Sequence, residues 1–335
     1  MAQNTSAAER APLEEERLSA EERRSVTSSG FRLRPREREV YSRALQALRR
    51  EGPPFVVSGL YALHQHTGIY RETKDLDVMI QPPHVEEAAR ALKSADFRLV
   101  LHASHWLAKA KDGEHFVDLV FGMANGLHLI DDGWFRNAYR GGLAGIPILV
   151  AAPEDLIFHR LFIWERHRSD MADIAHLVLA YGPRLDWNRL LRRVGDHWRL
   201  LLAQIHFFDF VYPGKREAVP RRIREELLRR SADALDEEGS SPDACQGTLI
   251  SRFSFAIDVN EWGYRDLRAE SVEAARSLPI IREIGASPVW DAVEDDRGEE
   301  EISPAPWGVP GELTGYDDGG RDGAGASTTE NVAGE

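Results

Sequence analysis

Cysteine is almost missing from this sequence. Cys245 is alone among 335 residues, so no internal disulfide can form, and no Cys/His set at metal-ligand spacing surrounds it. Long apolar runs are missing too. The longest candidate, residues 144–152, is interrupted by Pro147 and falls well short of the roughly 18 residues a membrane helix needs. The opening segment is charged and polar rather than signal-like, so the expectation is a soluble, cytoplasmic protein with no membrane partner. The phosphate-loop Gly-Lys-Ser/Thr, the dinucleotide Gly-x-Gly-x-x-Gly and the His-Glu-x-x-His signatures are all absent, which removes the usual support for kinase, dehydrogenase and zinc-protease chemistry. No internal repeat is present.

Charge is abundant but uneven. The net charge is -13, yet residues 291–335 alone hold 13 acids against two arginines, so the rest of the chain is nearly balanced. Within that rest, residues 184–230 carry 12 basic residues against six acids. A local positive patch governs encounter more than the global sum does, so overall acidity does not exclude a polyanionic partner.

The pattern along the chain divides it into five segments. Residues 1–36 lack apolar periodicity and read as a disordered arm. An α/β segment, 37–151, begins with a helix over 37–50, whose Val40, Tyr41, Ala44, Leu45 and Leu48 share one face. It continues with strands over 55–57, 74–80, 97–101, 106–110, 115–121 and 146–150, a helix over 84–95, and a hairpin turn at Asp112-Gly113. A helical segment, 152–235, opens at Pro153-Glu154-Asp155, with proline and acids in the first turn. Residues 236–290 read as a linker with a docked aromatic stretch, in which Phe253, Phe255, Ile257 and Val259 alternate like a strand. Residues 291–335 read as an acidic disordered tail.

Chemistry gathers in the first folded segment. In Lys74-Asp75-Leu76-Asp77-Val78-Met79-Ile80, a strand places Asp75 and Asp77 on one face. Paired carboxylates repel unless a cation neutralises them, which suits a hard divalent metal. Asp118 sits among apolar neighbours in a later strand, where a carboxylate is expensive to bury unless it is paired or metal-bound. The turn at Ser58-Gly59 leads a short strand into a helix whose exposed N–H groups can take phosphate oxygens. His64 and His66 look like a metal pair, but i and i+2 on a helix do not share a face, so ordinary surface histidines are the preferred reading.

These residues resemble the nucleotidyltransferase superfamily with the DNA polymerase beta-like fold, in particular the bacterial branch of AbiEii/AbiGii-type toxins and antibiotic nucleotidyltransferases. The likeness runs from Val56-Ser58-Gly59-Ala62-Leu63 through Arg71-Glu72-Thr73-Lys74-Asp75-Leu76-Asp77 and Val117-Asp118-Leu119. It continues in Ala152-Pro153-Glu154-Asp155 and in Arg166-His167-Arg168-Ser169-Asp170-Met171-Ala172-Asp173. The resemblance implies a mixed α/β (α+β) sheet with flanking helices, followed by a helical domain. It implies that Asp75, Asp77 and Asp118 are catalytic and hold Mg2+, two ions in all, with Asp118 helping to activate the acceptor. Ser58, Gly59, Arg71, Lys74, Arg160 and Arg166 are expected around the nucleotide, with Asp170 and Asp173 orienting the basic groups. Two departures stand out: Ser58 occupies a turn position where the branch has glycine, and Arg160 stands where it usually has lysine.

The expected activity is transfer of a nucleoside monophosphate from NTP to an acceptor hydroxyl on a small molecule, a protein or a tRNA end, with release of pyrophosphate. Two rivals remain: an inert descendant that binds a nucleotide or a partner, and a toxin-type enzyme restrained by a partner. Arg221, Arg222 and Arg224 form either a solvated helix face or an RNA contact, and residues 248–268 either dock on the core or meet another protein.

Overall fold

Helix α1, Pro35–Glu51, starts with a proline where no backbone hydrogen bond is lost, and Glu37 accepts from the Arg34 backbone N–H at 2.8 Å. Its Val40, Tyr41, Ala44, Leu45 and Leu48 form the predicted stripe and are fully buried, each valine or leucine side chain contributing roughly 1.5–3 kcal/mol. The computed structural model describes residues 33–70, 73, 75–165, 168–235 and 241–294. Most of the expected arm and tail lies outside them. Pro35 and Arg36, assigned to the arm, are helical, and residues 291–294, assigned to the tail, belong to the fold.

The strands are β1 (Val56–Val57), β2 (Asp75–Met79), β3 (Arg98–Ala103), β4 (Leu107–Asp112), β5 (His115–Val120), β6 (Tyr139–Leu143), β7 (Ile146–Val150) and β12 (Ala292–Val293). They make one eight-stranded sheet in the order β12-β3-β4-β5-β2-β1-β7-β6. The β2–β5, β1–β7 and β3–β12 pairs are parallel, and the other pairs antiparallel, so the sheet is mixed as expected. Helix α1 and α3 (Val85–Lys93) pack on each other and against β3 to β5.

A helical half follows: α4 (Pro153–Arg160), α5 (Met171–Tyr181), α6 (Trp187–Val194), α7 (Trp198–Val211) and α8 (Arg221–Asp233). Helix α2 (Gly59–Thr67), which leaves β1, packs on both α4 and α5 and so joins the two halves. A small hairpin, β8 (Trp164–Glu165) with β9 (Arg168–Ser169), lies between α4 and α5.

Residues 241–294 are more structured than a linker. β10 (Ala244–Cys245) pairs with β11 (Arg265–Asp266), then α9 (Leu267–Arg276) and α10 (Pro279–Ala286) lead into β12 at the sheet edge. Lys93 Nζ donates to the Val289 carbonyl at 2.8 Å and to Asp291 at 2.7 Å, and Asp291 also accepts from the Leu99 N–H at 2.8 Å. The alternating apolar stretch is not a strand: residues 256–260 form a short helix. Phe253 and Ile257 are four apart, a spacing that serves a helix as well as alternation serves a strand, and so short a run cannot distinguish them.

His66 is not a surface residue. It follows Ala62 and Leu63 on the inner face of α2 and is 4% exposed. Its Nε2 lies 2.7 Å from the Ala151 carbonyl and its Nδ1 2.6 Å from the Tyr181 hydroxyl. A carbonyl only accepts, so Nε2 carries the proton and Nδ1 accepts from Tyr181. Burial pushes the His66 pKa down from 6.5 to about 4. The neutral form therefore stabilises the fold fully above pH 6.5, and that contribution, up to about 3 kcal/mol, is lost as pH falls towards 4. Chemical denaturation of His66→Gln is expected to give a flatter stability profile across this window; a slope as steep as that of the unsubstituted protein would refute the assignment.

Candidate active site

β2 carries Asp75 and Asp77 on one face, while Leu76 and Val78, which alternate with them, are fully buried on the other. The parallel register of β2 with β5 sets Asp77 opposite Asp118, so the third acid shares the face of the first two. Val117 and Leu119, fully buried, anchor β5 in the same way. All three carboxylates line one cleft of about 610 Å3.

The Ser58-Gly59 turn forms the next part of the floor. The Ser58 N–H donates to the Asp77 carbonyl at 2.9 Å, and Gly59 begins α2 with φ +62°. A Cβ on Gly59 would lie 1.7 Å from Asp77 Oδ2. Glycine is thus needed both for its backbone angle and for the approach of the carboxylate. Ser58 and Gly59 at the α2 start line the same cleft, and a helix N-terminus is a setting that favours phosphate.

Electrostatics mark the acids as incompletely neutralised. Burial, then the charges of Asp75 and Asp118, push the Asp77 pKa from 3.8 up to about 7. Burial also raises Asp118, to about 6, against the opposing pull of Lys109. Lys109 Nζ donates to both Asp118 oxygens, at 3.0 and 3.2 Å, while Thr73 donates its hydroxyl proton to Asp75. Oxygen-only donors bearing like charges suit a hard divalent cation, and Asp75 with Asp77 fits one. Among the described residues, no three His, Cys, Asp or Glu side chains are gathered closely enough to hold one ion together.

The basic groups are layered. Arg160 is 3% exposed and donates to the Gly59 carbonyl at 2.9 Å, with Asp173 at 3.5 Å and Asp170 at 3.6 Å from its Nε. It braces the turn from behind, and Asp173, almost fully buried, braces it in turn. Arg168 contacts Asp170 at 3.3 Å and lines the cleft. Arg71, Lys74 and Arg166 lie outside the described residues.

Another wall of the cleft comes from far along the chain, from residues 248–253 and Arg268. The Trp164 N–H donates to the Ile250 carbonyl at 3.0 Å, Asn125 Nδ2 to the Leu249 carbonyl at 3.1 Å, and Ser251 to Glu165 at 2.6 Å. The first part of the stretch that was open to a protein partner is therefore a wall of the cleft. Arg221, Arg222 and Arg224 stand apart from it on α8, held by Glu225, Asn188 and Asp209 respectively.

Sequence reasoning missed Lys109, gave Thr73 and Arg168 no role within the motifs that contain them, and did not place the docked 248–253 stretch at the cleft. Lys109 was within reach: the turn after Asp112 pairs Asp112 with His115, and counting back along the hairpin pairs Lys109 with Asp118.

Two acids from β2 and a register-matched third from β5 thus face one cleft beside the glycine-led start of α2. Residues 40–203 match the family model described as "Uncharacterised nucleotidyltransferase", and this segment is accordingly a nucleotidyltransferase domain, as the resemblance implied. No curated protein matches the chain. Among solved structures, the chain is similar to the solution structure of the antibiotic-resistance factor ANT(2'')-Ia, at 16% identity over 61% of this chain and 97% of the other, with a TM-score of 0.33. It is also similar to the lincomycin-bound lincosamide antibiotic adenylyltransferase LnuA, at 15% identity over 44% and 98%, with a TM-score of 0.32. No helix among the described residues is long and apolar enough to cross a membrane.

Proposed function

We propose that this protein is a Mg2+-dependent nucleotidyltransferase that moves a nucleoside monophosphate from NTP to the hydroxyl of an acceptor bound between the carboxylate floor and the 248–253 wall. The observation that carries the reading is the row Asp75, Asp77 and Asp118 facing the cleft beside Gly59. The acceptor oxygen bonds to the α-phosphorus, the bond from the α-phosphorus to the bridging oxygen breaks, pyrophosphate departs with that electron pair, and a carboxylate of the row takes the hydroxyl proton. A bound divalent ion would supply Lewis-acid stabilisation of charge on the phosphates.

The chain's own residues position the reactants. The α2 start receives phosphate oxygens, Arg160 and its two acids fix the turn, and Arg168 faces the triphosphate side of the cleft. The cleft volume fits an NTP with a small acceptor, or with the end of a larger one. Incubating the protein with each α-labelled NTP, Mg2+ and fractions of small molecules, protein and RNA is expected to label one fraction. Absence of label from every fraction, with Mg-NTP still bound in calorimetry, would replace the enzyme by an inert nucleotide-binding descendant.

A further inference from the structure

We propose that Lys109 supplies the outer positive charge of the carboxylate row, so that the site takes one divalent ion, at Asp75 and Asp77, rather than two. The proposal rests on the nucleotidyltransferase reading and changes its ion count. Lys109, Asp118 and Asp77 are consecutive partners across β4, β5 and β2, which makes the ammonium the outermost member of the row by register rather than by a chance rotamer. Its nitrogen is nearly equidistant from the two Asp118 oxygens and lies 4.3 Å from the centre of the Phe116 ring. Phe116 is itself the partner of Asp75. Ring and carboxylate thus clamp the ammonium from two sides, in a side chain only 16% exposed.

This clamp accounts for the absence of a three-acid metal cluster among the described residues. Asp118 is committed to a protein cation, and the acids left for an ion are Asp75 and Asp77. A Mg2+ ion binds carboxylate oxygen at about 2.1 Å, so an ion on Asp118 would sit against the Lys109 ammonium and be repelled by it. Charge balance agrees, since one divalent ion and one ammonium neutralise three carboxylates. Lys109 is a positioning residue here: it acts through Asp118, whose carboxylate it holds at a fixed place on the row.

The test counts ions rather than turnover. Mn2+ is titrated into the full chain with α,β-methylene-ATP, and bound ions are counted from the loss of the free Mn2+ electron-paramagnetic-resonance signal. One ion is expected for the unsubstituted protein, one for Lys109→Arg, which keeps the charge, and two for Lys109→Met, which removes it at similar volume. Two ions on the unsubstituted protein, a count that needs no variant to fold, would overturn the assignment, as would a single ion on folded Lys109→Met. If neither the unsubstituted protein nor any variant bound an ion, the metal-dependent reading itself would fail.

Discussion

Asp77→Asn is expected to abolish nucleotidyl transfer while making the metal-free protein more stable above neutral pH. In the proposed site this carboxylate would face the reacting phosphates, and a fall of up to about 1,000-fold is the scale for losing a preorganised charged group. The gain in stability follows from the raised pKa. Asp77 ionises at about 7 in the fold, against 3.8 for the ordinary group, so the folded state holds a proton that the unfolded chain has already released. Its contribution is most favourable below pH 3.8 and declines as pH rises to about 7. Asparagine imitates the protonated acid and escapes that decline. Its advantage should emerge above pH 4, grow until about 7 and then level off, at a size on the order of 4 kcal/mol. Thermal melts in EDTA at pH 5 and pH 8, beside a label-transfer assay, read both effects. A lower melting temperature for Asp77→Asn at pH 8 would mean that the carboxylate is paired rather than repelled.

Activity and stability thus pull against each other at this residue, as they do wherever like charges are held together for a bound ion. The surrounding fold meets the strain with apolar anchoring. Leu76, Val78, Val117 and Leu119 fix the two strands from the opposite face, so the carboxylates cannot separate without uncovering the core.

The legible parts of the sequence were those written at short range. Asp75 and Asp77 show themselves through the period of a strand, and Asp118 through its apolar flanks. The Ser58-Gly59 turn shows itself through the change from a strand to a helical pattern. β7 emerged over its exact bounds, but its partner β6 did not, because Gly141-Gly142 reads as a loop. That hairpin closes through Ala144 and Gly145, both at positive φ, and alanine gives no warning of such a turn. His66 was misplaced because its polarity outweighed its position three residues after Leu63, and a carbonyl and a hydroxyl that satisfy both ring nitrogens are invisible in sequence. The 248–253 wall was hidden for a different reason. Its contacts join residues 86 and 124 positions apart, and no local pattern records pairing at that range.

Gly59→Ala should separate the fold from its chemistry most sharply. An L-residue at φ +62° is strained by about 1–2 kcal/mol, which in a protein of this size lowers the melting temperature by only a few degrees. The methyl group, however, would start 1.7 Å from Asp77 Oδ2, a distance no carbon and oxygen can share. The backbone on both sides of that clash is held: Arg160 grips the Gly59 carbonyl, and the Asp77 carbonyl accepts from Ser58. The carboxylate is the part free to move, and it must swing away from the phosphate path by about an ångström or more. A displacement of that size costs roughly 100-fold in rate when the group positions reacting atoms. Steady-state kinetics on a Gly59→Ala protein that still folds should therefore show kcat/KM reduced by about two orders of magnitude, with Mn2+ affinity weakened as well. Unchanged kinetics would show that Asp77 does not work from the position beside the turn, and the proposed site would have to be rebuilt around other residues.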